Sequence, residues 1–267
     1  MSFEFCNLTL NNMLLAIDIG NTNISFAIFK GGKIIESWDI PLKEYRGIRT
    51  LETPIKDALI CSVVPQITQR VSRDIEKATG VKPKIIEKDI LIPLKNLYKK
   101  PEQLGTDRLL NAYAASQIYS APAIIVSCGT AITIDAVSKN SEYLGGFIIP
   151  GLNSSLSALN LNTALLPKVK LVPATKNIGR NTQDCILNGI VLGSASAIDA
   201  LIEAISFKTG TNTKIIGTGG DINLMKKFSK RAIRVNKNLL LNGIFLLYKG
   251  ELLAETRDCR DNLLKKT

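Results

Sequence analysis

The chain has 267 residues, of which 45% are hydrophobic and 21% charged, a composition typical of a soluble globular protein with room for two domains of ordinary size. It contains no histidine, which excludes Ser-His-Asp triads, Cys-His dyads, HExxH metal sites and Cys2His2 zinc fingers, and leaves carboxylates, hydroxyls and lysines as catalytic groups. Its net charge of +11 is compatible with a nucleic acid, an anionic membrane surface or a phosphorylated ligand as partner.

Apolar strands alternate with helices from the start of the chain, a pattern that predicts an α/β fold. The first strand leads through the polar turn Gly20–Asn23 into a second strand, and Gly31-Gly32 suits the hairpin turn before a third. Pro65 fits the first position of a helix that Gly80 would end. In chain order, the first half is predicted to contain strands at 14–19, 24–29, 33–40, 58–64 and 84–87, with helices at 65–79 and from about 106.

The same alternation restarts near residue 123. The second half is predicted to contain strands at 123–127, 132–137, 145–149 and 214–216, and helices at 152–161, at 182–206, after Gly219-Gly220 and at 239–255. The segment Ile17–Thr22 aligns with Val126–Ala131, because each has an apolar strand, a polar residue and a glycine turn before a second strand. These matches favour a duplicated α/β domain, with its halves at 13–120 and 121–267.

The two glycine turns are candidate phosphate sites. A turn between strands exposes backbone N–H groups that can hold phosphate oxygens, and glycine lets the ligand approach closely. An ordinary hairpin turn is an equal alternative for either one. Asp18, at the end of a buried strand, can hold hydrated Mg²⁺ through water. No GxxxxGK[ST] motif occurs and Gly217–Gly220 does not complete GxGxxG, which excludes P-loop and Rossmann sites.

The five cysteines are odd in number and form no CxxC pair, so we expect a reducing, cytoplasmic location without a disulfide framework or zinc site. No stretch reaches the ~18 uninterrupted apolar residues that span a bilayer. Residues 1–12 lack a signal-peptide pattern, and Met13 stands directly before the first strand. We therefore expect residues 1–12 to form an extension without chemistry of its own.

Six motifs occur in one order along the chain: Asp18-Ile19-Gly20-Asn21-Thr22, Gly105-Thr106-Asp107-Arg108, Gly129-Thr130-Ala131-Ile132-Thr133, Gly145–Gly151, Asn181-Thr182 and Thr218-Gly219-Gly220. In this register the chain resembles the type III pantothenate kinases of the acetate and sugar kinase/actin-like superfamily, from about Met13 to Lys249. The resemblance implies an α/β fold of duplicated ribonuclease-H-like (actin-like ATPase) domains, each a mixed central sheet flanked by helices. It also implies phosphorylation of pantothenate by ATP, the first step of coenzyme A biosynthesis.

The resemblance also implies roles for individual residues. Asp107 is the implied catalytic base for the primary hydroxyl of pantothenate, and a carboxylate in this role fits a chain without histidine. The implied ATP-binding residues are Asp18, Ile19, Gly20, Asn21, Thr22, Asn23, Ile24, Ser25 and Thr130. The implied substrate-binding residues are Tyr98, Gly105, Thr106, Asp107, Arg108 and Thr182. Implied cofactors are ATP and Mg²⁺, the latter held by Asp18 through water.

Each assignment has a structural alternative. Asp107 can be an acidic residue favoured at a helix N-terminus, and Arg108 can form a surface ion pair. Tyr98 can pack in the core, and Thr182 can cap the helix that follows it. The Gly145–Gly151 segment, which the resemblance assigns to the pantothenate pocket, can be a strand-to-helix turn. Gly219-Gly220, assigned near the adenosine, can be a helix-start turn.

Ser127 departs from the family pattern. The family has Asp-x-Gly-Thr-Ala where this chain has Ser127–Ala131, and the family aspartate is associated with a monovalent cation, K⁺ or NH4⁺. A hydroxyl keeps one oxygen ligand but removes a negative charge, so we expect weak or altered cation dependence. Asp135 is too far along the chain to replace the aspartate directly. Catalysis would then depend on Asp18 and Asp107.

Small residues recur at four-residue spacing on the long predicted helix, at Gly189, Gly193 and Ala197, and permit close approach of another helix. The family is dimeric, so a homodimer is expected. The basic excess is concentrated in residues 207–267, which contain no nucleic-acid-binding motif, so neither a nucleic acid nor a membrane is expected as partner. Two alternatives remain: a catalytically weakened kinase-fold regulator or binding protein, suggested by Ser127, and a nucleic-acid-binding protein, suggested by the charge.

Overall fold

The computed structural model describes the backbone of residues 12–209 and 212–264, and side chains up to residue 254. The expected N-terminal extension lies, except for its last residue, outside the described residues. The chain forms two compact units. Within the described residues, the first unit comprises the chain up to Pro93, Gly105–Leu110 and the chain from Leu240 onward, and the second comprises Leu94–Leu104 and Asn111–Leu239.

The first unit is built on a five-stranded mixed sheet. Its strands are β1 (Leu14–Ile19), β2 (Asn23–Lys30), β3 (Lys33–Pro41), β4 (Asp57–Ser62) and β5 (Lys84–Ile85). The order across the sheet is β3-β2-β1-β4-β5. β1, β2 and β3 pair with one another antiparallel, whereas β4 and β5 are parallel to β1 and to each other. Nearly every side chain of β1 is buried, as its continuous apolar sequence predicts.

Helix α1 (Pro65–Thr79) covers part of this sheet. Val71 and Ile75 are buried on one face, the spacing expected for an amphipathic helix. Pro65 occupies the first turn, and Gly80 ends the helix with a left-handed backbone at φ 73°. Both ends therefore lie where the sequence predicts them.

The second unit is built on a six-stranded mixed sheet. In chain order the remaining elements are β6 (Lys95–Asn96), α2 (Thr106–Tyr119), β7 (Ala123–Cys128), β8 (Ala131–Val137), β9 (Glu142–Pro150), α3 (Leu152–Leu161), α4 (Thr182–Thr209), β10 (Lys214–Thr218), α5 (Ile222–Phe228), β11 (Arg234–Val235) and α6 (Leu239–Leu264). The order across this sheet is β11-β10-β7-β8-β9-β6.

The two sheets repeat one topology. In each, three antiparallel strands form a meander, and two further strands lie parallel to the first strand of that meander. The second sheet differs in carrying the short strand β6 on its outer edge. The predicted α/β architecture of two mixed sheets flanked by helices is confirmed.

Helix α4 is long and apolar enough to cross a membrane by length and composition. It packs instead against β7, β8, α3 and α5 of the second unit. Its inner face contributes Leu187, Val191, Ile198 and Ile202 to the core, where each is buried. These contacts identify α4 as a core helix.

The compact units cross the predicted boundary between the halves. Helix α6, which the sequence places in the second half, packs within the first unit: Phe245 stacks on Phe29 with ring centroids 5.1 Å apart. The Tyr248 hydroxyl donates to Asp57 at 2.8 Å. The halves 13–120 and 121–267 therefore remain a proposal about duplication, and they do not coincide with the compact units.

Candidate active site

A row of polar residues crosses the first sheet. In the strand register, Asp18 of β1 lies opposite Ser25 of β2 and Cys61 of β4, and Ser25 lies opposite Asp39 of β3. Residues directly opposite each other point to the same face of a sheet. The fold therefore places two carboxylates, a hydroxyl and a thiol on one face.

Asp18 is the most perturbed carboxyl group in this row. Burial, followed by the negative charges of Asp107 and Asp39, raises the pKa of Asp18 to about 7. Near neutral pH this carboxyl group is thus divided between its protonated and ionised forms. A nearby cation would favour the ionised form, so the surroundings of Asp18 fit an adjacent hydrated Mg²⁺.

Asp107 occupies the first turn of α2. Its Oδ1 accepts a hydrogen bond from the backbone N–H of Arg108 at 2.9 Å. A Cβ at Gly105 would stand 2.5 Å from that oxygen, so only glycine leaves the carboxylate in this place. The fold thus brings Asp107 close enough to Asp18 for one charge to affect the other, although the chain positions are far apart.

The turn between β1 and β2 presents three exposed side chains, those of Asn21, Thr22 and Asn23. The backbone N–H of Gly20 donates to the carbonyl of Asn23 at 3.0 Å and closes the turn. Ile19 and Ile24, also predicted to bind ATP, have fully buried side chains. For these two residues, only the backbone groups can bind a ligand.

The corresponding turn of the second unit carries Thr130, which is exposed. The Thr130 carbonyl accepts hydrogen bonds from the backbone N–H of Gly151 at 3.1 Å and from the Ser154 hydroxyl at 2.7 Å. A Cβ at Gly151 would stand 2.0 Å from the Gly129 carbonyl, and one at Gly219 would stand 2.3 Å from the Cys128 carbonyl. These glycines therefore allow two segments to pack directly against the turn.

Ser127 is half-buried at the end of β7, between Thr218 of β10 and Thr133 of β8. The β7–β8 hairpin places Asp135 on the same face of the sheet as Ser127, diagonally across from it. The separation of the two residues in the sequence does not indicate that they are this close. Each oxygen of Asp135 accepts a hydrogen bond, Oδ1 from the Tyr143 hydroxyl at 2.7 Å and Oδ2 from the Thr133 hydroxyl at 3.0 Å. These bonds direct the Asp135 carboxylate toward Tyr143 and Thr133.

Two further predicted substrate residues lie in the second unit. Tyr98 is half-buried, with its ring 6.2 Å from that of Tyr143. Thr182 is exposed at the start of α4, and the Asn181 side chain accepts the hydrogen bond of the Asp184 backbone N–H at 2.9 Å. The cap is therefore Asn181, and the Thr182 hydroxyl does not have the capping role considered from the sequence.

Thr106 and Arg108 flank Asp107 in the first turn of α2, and the Arg108 side chain is buried. The surface ion pair considered for Arg108 is thus excluded by its burial. The sequence interpretation missed Asp39 and Tyr143. A regular hairpin closed at Gly31-Gly32 would place Trp38 opposite Ser25, and the register shift between Ile28 and Phe29 brings Asp39 there instead. Neither this shift nor the bulge that orients Tyr143 leaves a clear sequence signal.

The buried thiols are poor nucleophiles. Burial raises the pKa of Cys61 well above its usual range, and Asp18, Asp107 and Glu87 raise it further. Burial, with a contribution from Asp221, raises the pKa of Cys128 to about 12. Within the part of the chain that the structure describes, no group of three or more acidic or cysteine residues could hold a metal ion. Carboxylates and hydroxyls remain the candidate reactive groups.

Comparisons with known proteins identify the family of the chain. A family model described as type III pantothenate kinase matches residues 14–204. A type III pantothenate kinase of Finegoldia magna is 36% identical over 257 residues, covering 89% of this chain and 97% of the relative. Another, of Sulfurihydrogenibium sp., is 37% identical over 251 residues, covering 89% of this chain and 100% of the relative.

Among solved structures, a crystal structure described as a conserved putative Baf family transcriptional activator from Campylobacter jejuni aligns with a TM-score of 0.59 and 22% identity. The alignment covers 89% of this chain and 98% of that chain. At this level of identity the likeness concerns the fold alone.

Proposed function

The chain belongs to the type III pantothenate kinase family, and on that premise we propose that it phosphorylates pantothenate with ATP in the first step of coenzyme A biosynthesis. The observation that carries the chemical part of this proposal is the proximity of Asp18 and Asp107. A phosphoryl transfer to an alcohol needs a proton acceptor and a means of neutralising phosphate charge. Two neighbouring carboxylates with separate tasks meet both needs.

Asp107 is the proposed base. Its carboxylate takes the proton of the primary hydroxyl of pantothenate as the hydroxyl oxygen forms a bond to the γ-phosphorus of ATP. The bond from that phosphorus to the bridging oxygen breaks, and ADP leaves with the electron pair. Gly105 and the Arg108 backbone N–H hold the carboxylate in place.

Asp18 is the proposed partner of Mg²⁺, through water. The metal supplies charge neutralisation on the transferred phosphoryl group when it is bound. A cation held beside Asp18 would favour its ionised form, because the positive charge would offset the burial that raises the pKa of Asp18. The turn at Gly20–Asn23 offers backbone and side-chain donors to phosphate oxygens, as do Ser25 and, in the second unit, Thr130.

Substrate contacts are proposed for Tyr98, Arg108 and Thr182, with Gly105 and Thr106 shaping the start of α2. The planar guanidinium of Arg108 suits the carboxylate of pantothenate or a phosphate. The Thr182 hydroxyl is exposed and does not cap α4, so it can donate a hydrogen bond to a ligand. A monovalent cation does not fit the Ser127 position as it fits an aspartate, so no step depends on it.

We propose a cytoplasmic homodimer without a nucleic-acid or membrane partner. Gly189 and Gly193 are exposed on α4, and a Cβ at either position would meet nothing within 4 Å. Exposed apolar side chains occur on the same unit at Ile148, Leu165 and Ile178. Exposed small residues on a helix and exposed apolar side chains suit packing against a second copy.

The test is a coupled assay of ADP release from ATP, with and without pantothenate, in potassium, ammonium and sodium salts. The proposal expects ADP release that requires pantothenate in at least one of these salts. Absence of release in all of them would instead favour the alternative suggested by Ser127, a catalytically weakened kinase fold that acts as a regulator or binding protein.

A further inference from the structure

A bulge in β9 orients Tyr143. Gly146 lies opposite Asp135 of β8, and Tyr143 lies opposite Val137, with the register shift between Ala136 and Val137. In a regular strand, Tyr143 and Gly146 are an odd number of residues apart and would point to opposite faces. The extra residue at the bulge turns Tyr143 onto the face that carries Asp135.

Asp135 anchors the Tyr143 ring on that face. Its Oδ1 accepts from the Tyr143 hydroxyl at 2.7 Å, and its Oδ2 accepts from the Thr133 hydroxyl at 3.0 Å. Both Asp135 and Tyr143 are almost completely buried. A Cβ at Gly146 would stand 2.1 Å from the Ile134 carbonyl and 2.9 Å from Asp135 Oδ1, so glycine leaves the space that this arrangement requires.

Tyr98 is in turn placed against Tyr143. The short strand β6 pairs with β9, where Asn96 lies opposite Tyr143. The Leu97 backbone N–H donates to the Tyr143 carbonyl at 2.9 Å, and the Tyr98 backbone N–H donates to Asn96 Oδ1 at 2.9 Å. The Tyr98 ring lies 6.2 Å from the Tyr143 ring, tilted by 54°. Aromatic pairs favour this spacing and tilt.

We propose that Asp135 is a positioning residue for pantothenate binding. It holds the Tyr143 ring, and that ring in turn holds Tyr98 in position to contact the substrate. The inference rests on the proposed function, because it takes Tyr98 as a contact of the substrate. It explains a buried carboxylate that the phosphoryl-transfer chemistry does not use. It also explains the bulge, since a regular β9 would remove Tyr143 from beneath Tyr98.

The test compares two tyrosine variants. Tyr143→Phe removes the hydroxyl that donates to Asp135, and Tyr248→Phe is the matched control, because it removes a buried hydroxyl that donates to Asp57 at 2.8 Å. Both variants should lower the melting temperature by similar amounts. Only Tyr143→Phe should raise the KM for pantothenate, by about tenfold, with kcat and the KM for ATP unchanged.

A second pair of variants covers the possibility that Tyr143→Phe does not fold. Thr133→Val removes a second donor to Asp135 and should raise the KM for pantothenate, whereas Thr133→Ser keeps a hydroxyl and should retain the wild-type value. An unchanged KM in both Tyr143→Phe and Thr133→Val, or an equal rise in Tyr248→Phe, overturns the inference while leaving the proposed function in place. An inactive wild-type enzyme overturns both.

Discussion

Asp18 lies half-buried at the end of β1 beside Asp107 of α2, and burial, followed by the charges of Asp107 and Asp39, raises the pKa of Asp18 to about 7. A buried carboxyl group near other acidic groups is unfavourable for folding when it is ionised. The same two carboxyl groups favour binding of a cation beside them, and a metal-bound nucleotide would bring such a cation to the site. Proximity of these two residues thus links the stability of the free protein to its chemistry.

Binding of the nucleotide should release a proton. Near pH 7 Asp18 is partly protonated, and a cation beside it favours the ionised form. Titration calorimetry with preformed Mg·ATP at pH 7, in two buffers of different ionisation enthalpy, should show a buffer-dependent heat. Asp18→Asn should remove that dependence, and equal dependence in wild type and variant would contradict the prediction.

Asp18→Asn should stabilise the free protein at alkaline pH while abolishing activity. The folded-state pKa of about 7 lies above the ordinary value of 3.8, so the stabilisation from the proton is complete below pH 3.8 and is lost as the pH rises through 7. An amide does not titrate. Melting temperatures between pH 5 and 8 should therefore fall more for the wild type than for Asp18→Asn, and parallel curves would contradict the assignment.

Gly105→Ala should impair chemistry through Asp107. The added Cβ would stand 2.5 Å from Asp107 Oδ1 and displace the carboxylate. We expect kcat to fall by about 10²-fold, the lower range of a lost general base, with the KM for ATP unchanged. Gly250→Ala on α6 is the control, because a Cβ there meets nothing within 4 Å. A wild-type kcat in Gly105→Ala would exclude this role of the glycine.

Potassium should have little effect on the wild-type enzyme. Ser127 supplies a neutral oxygen, and Asp135 on the same face already accepts two hydrogen bonds. Turnover in potassium, sodium and Tris should be similar for the wild type, whereas Ser127→Asp should become dependent on potassium. Ordinary potassium activation of the wild type would refute the prediction.

The exposed glycines of α4 should lie at a dimer interface. Sedimentation velocity at micromolar concentration should show a dimer for the wild type, and Gly193→Leu should shift it toward a monomer because the larger side chain blocks close helix packing. Ala254→Ser is the control, because it is a small change on α6 and does not alter the glycines of α4. It should leave the dimer intact. A monomeric wild type would contradict the prediction.

Local signals in the sequence predicted most of the regular elements. Pro65 and Gly80 marked the two ends of α1. Glycine turns marked the hairpins β1–β2, β2–β3 and β7–β8. Helix α4 was predicted to end near residue 206 and extends to Thr209, and β10 continues past the predicted end at residue 216 to Thr218. The two-residue strands β6 and β11 were missed because so short a segment has no periodicity of its own.

Long-range packing was harder to predict. Nothing local to α6 indicates that Phe245 stacks on Phe29, so the helix was assigned to the second half. The separate roles of Asp18 and Asp107 came from a family resemblance, whereas their closeness and its electrostatic consequence come from the structure. Asp135 is eight residues from Ser127 along the chain, but the pairing of β7 with β8 in a hairpin brings the two residues close together.

The central claim is that Asp107 serves a pantothenate kinase as its base, and direct detection of the product tests it most plainly. Mass spectrometry of reactions with ATP, Mg²⁺ and pantothenate should find phosphorylated pantothenate equal in amount to ADP for the wild type. For Asp107→Asn, a variant of nearly the same shape, product formation should fall by about 10²-fold or more. No phosphorylated pantothenate from the wild type, or undiminished formation by Asp107→Asn, would contradict the account.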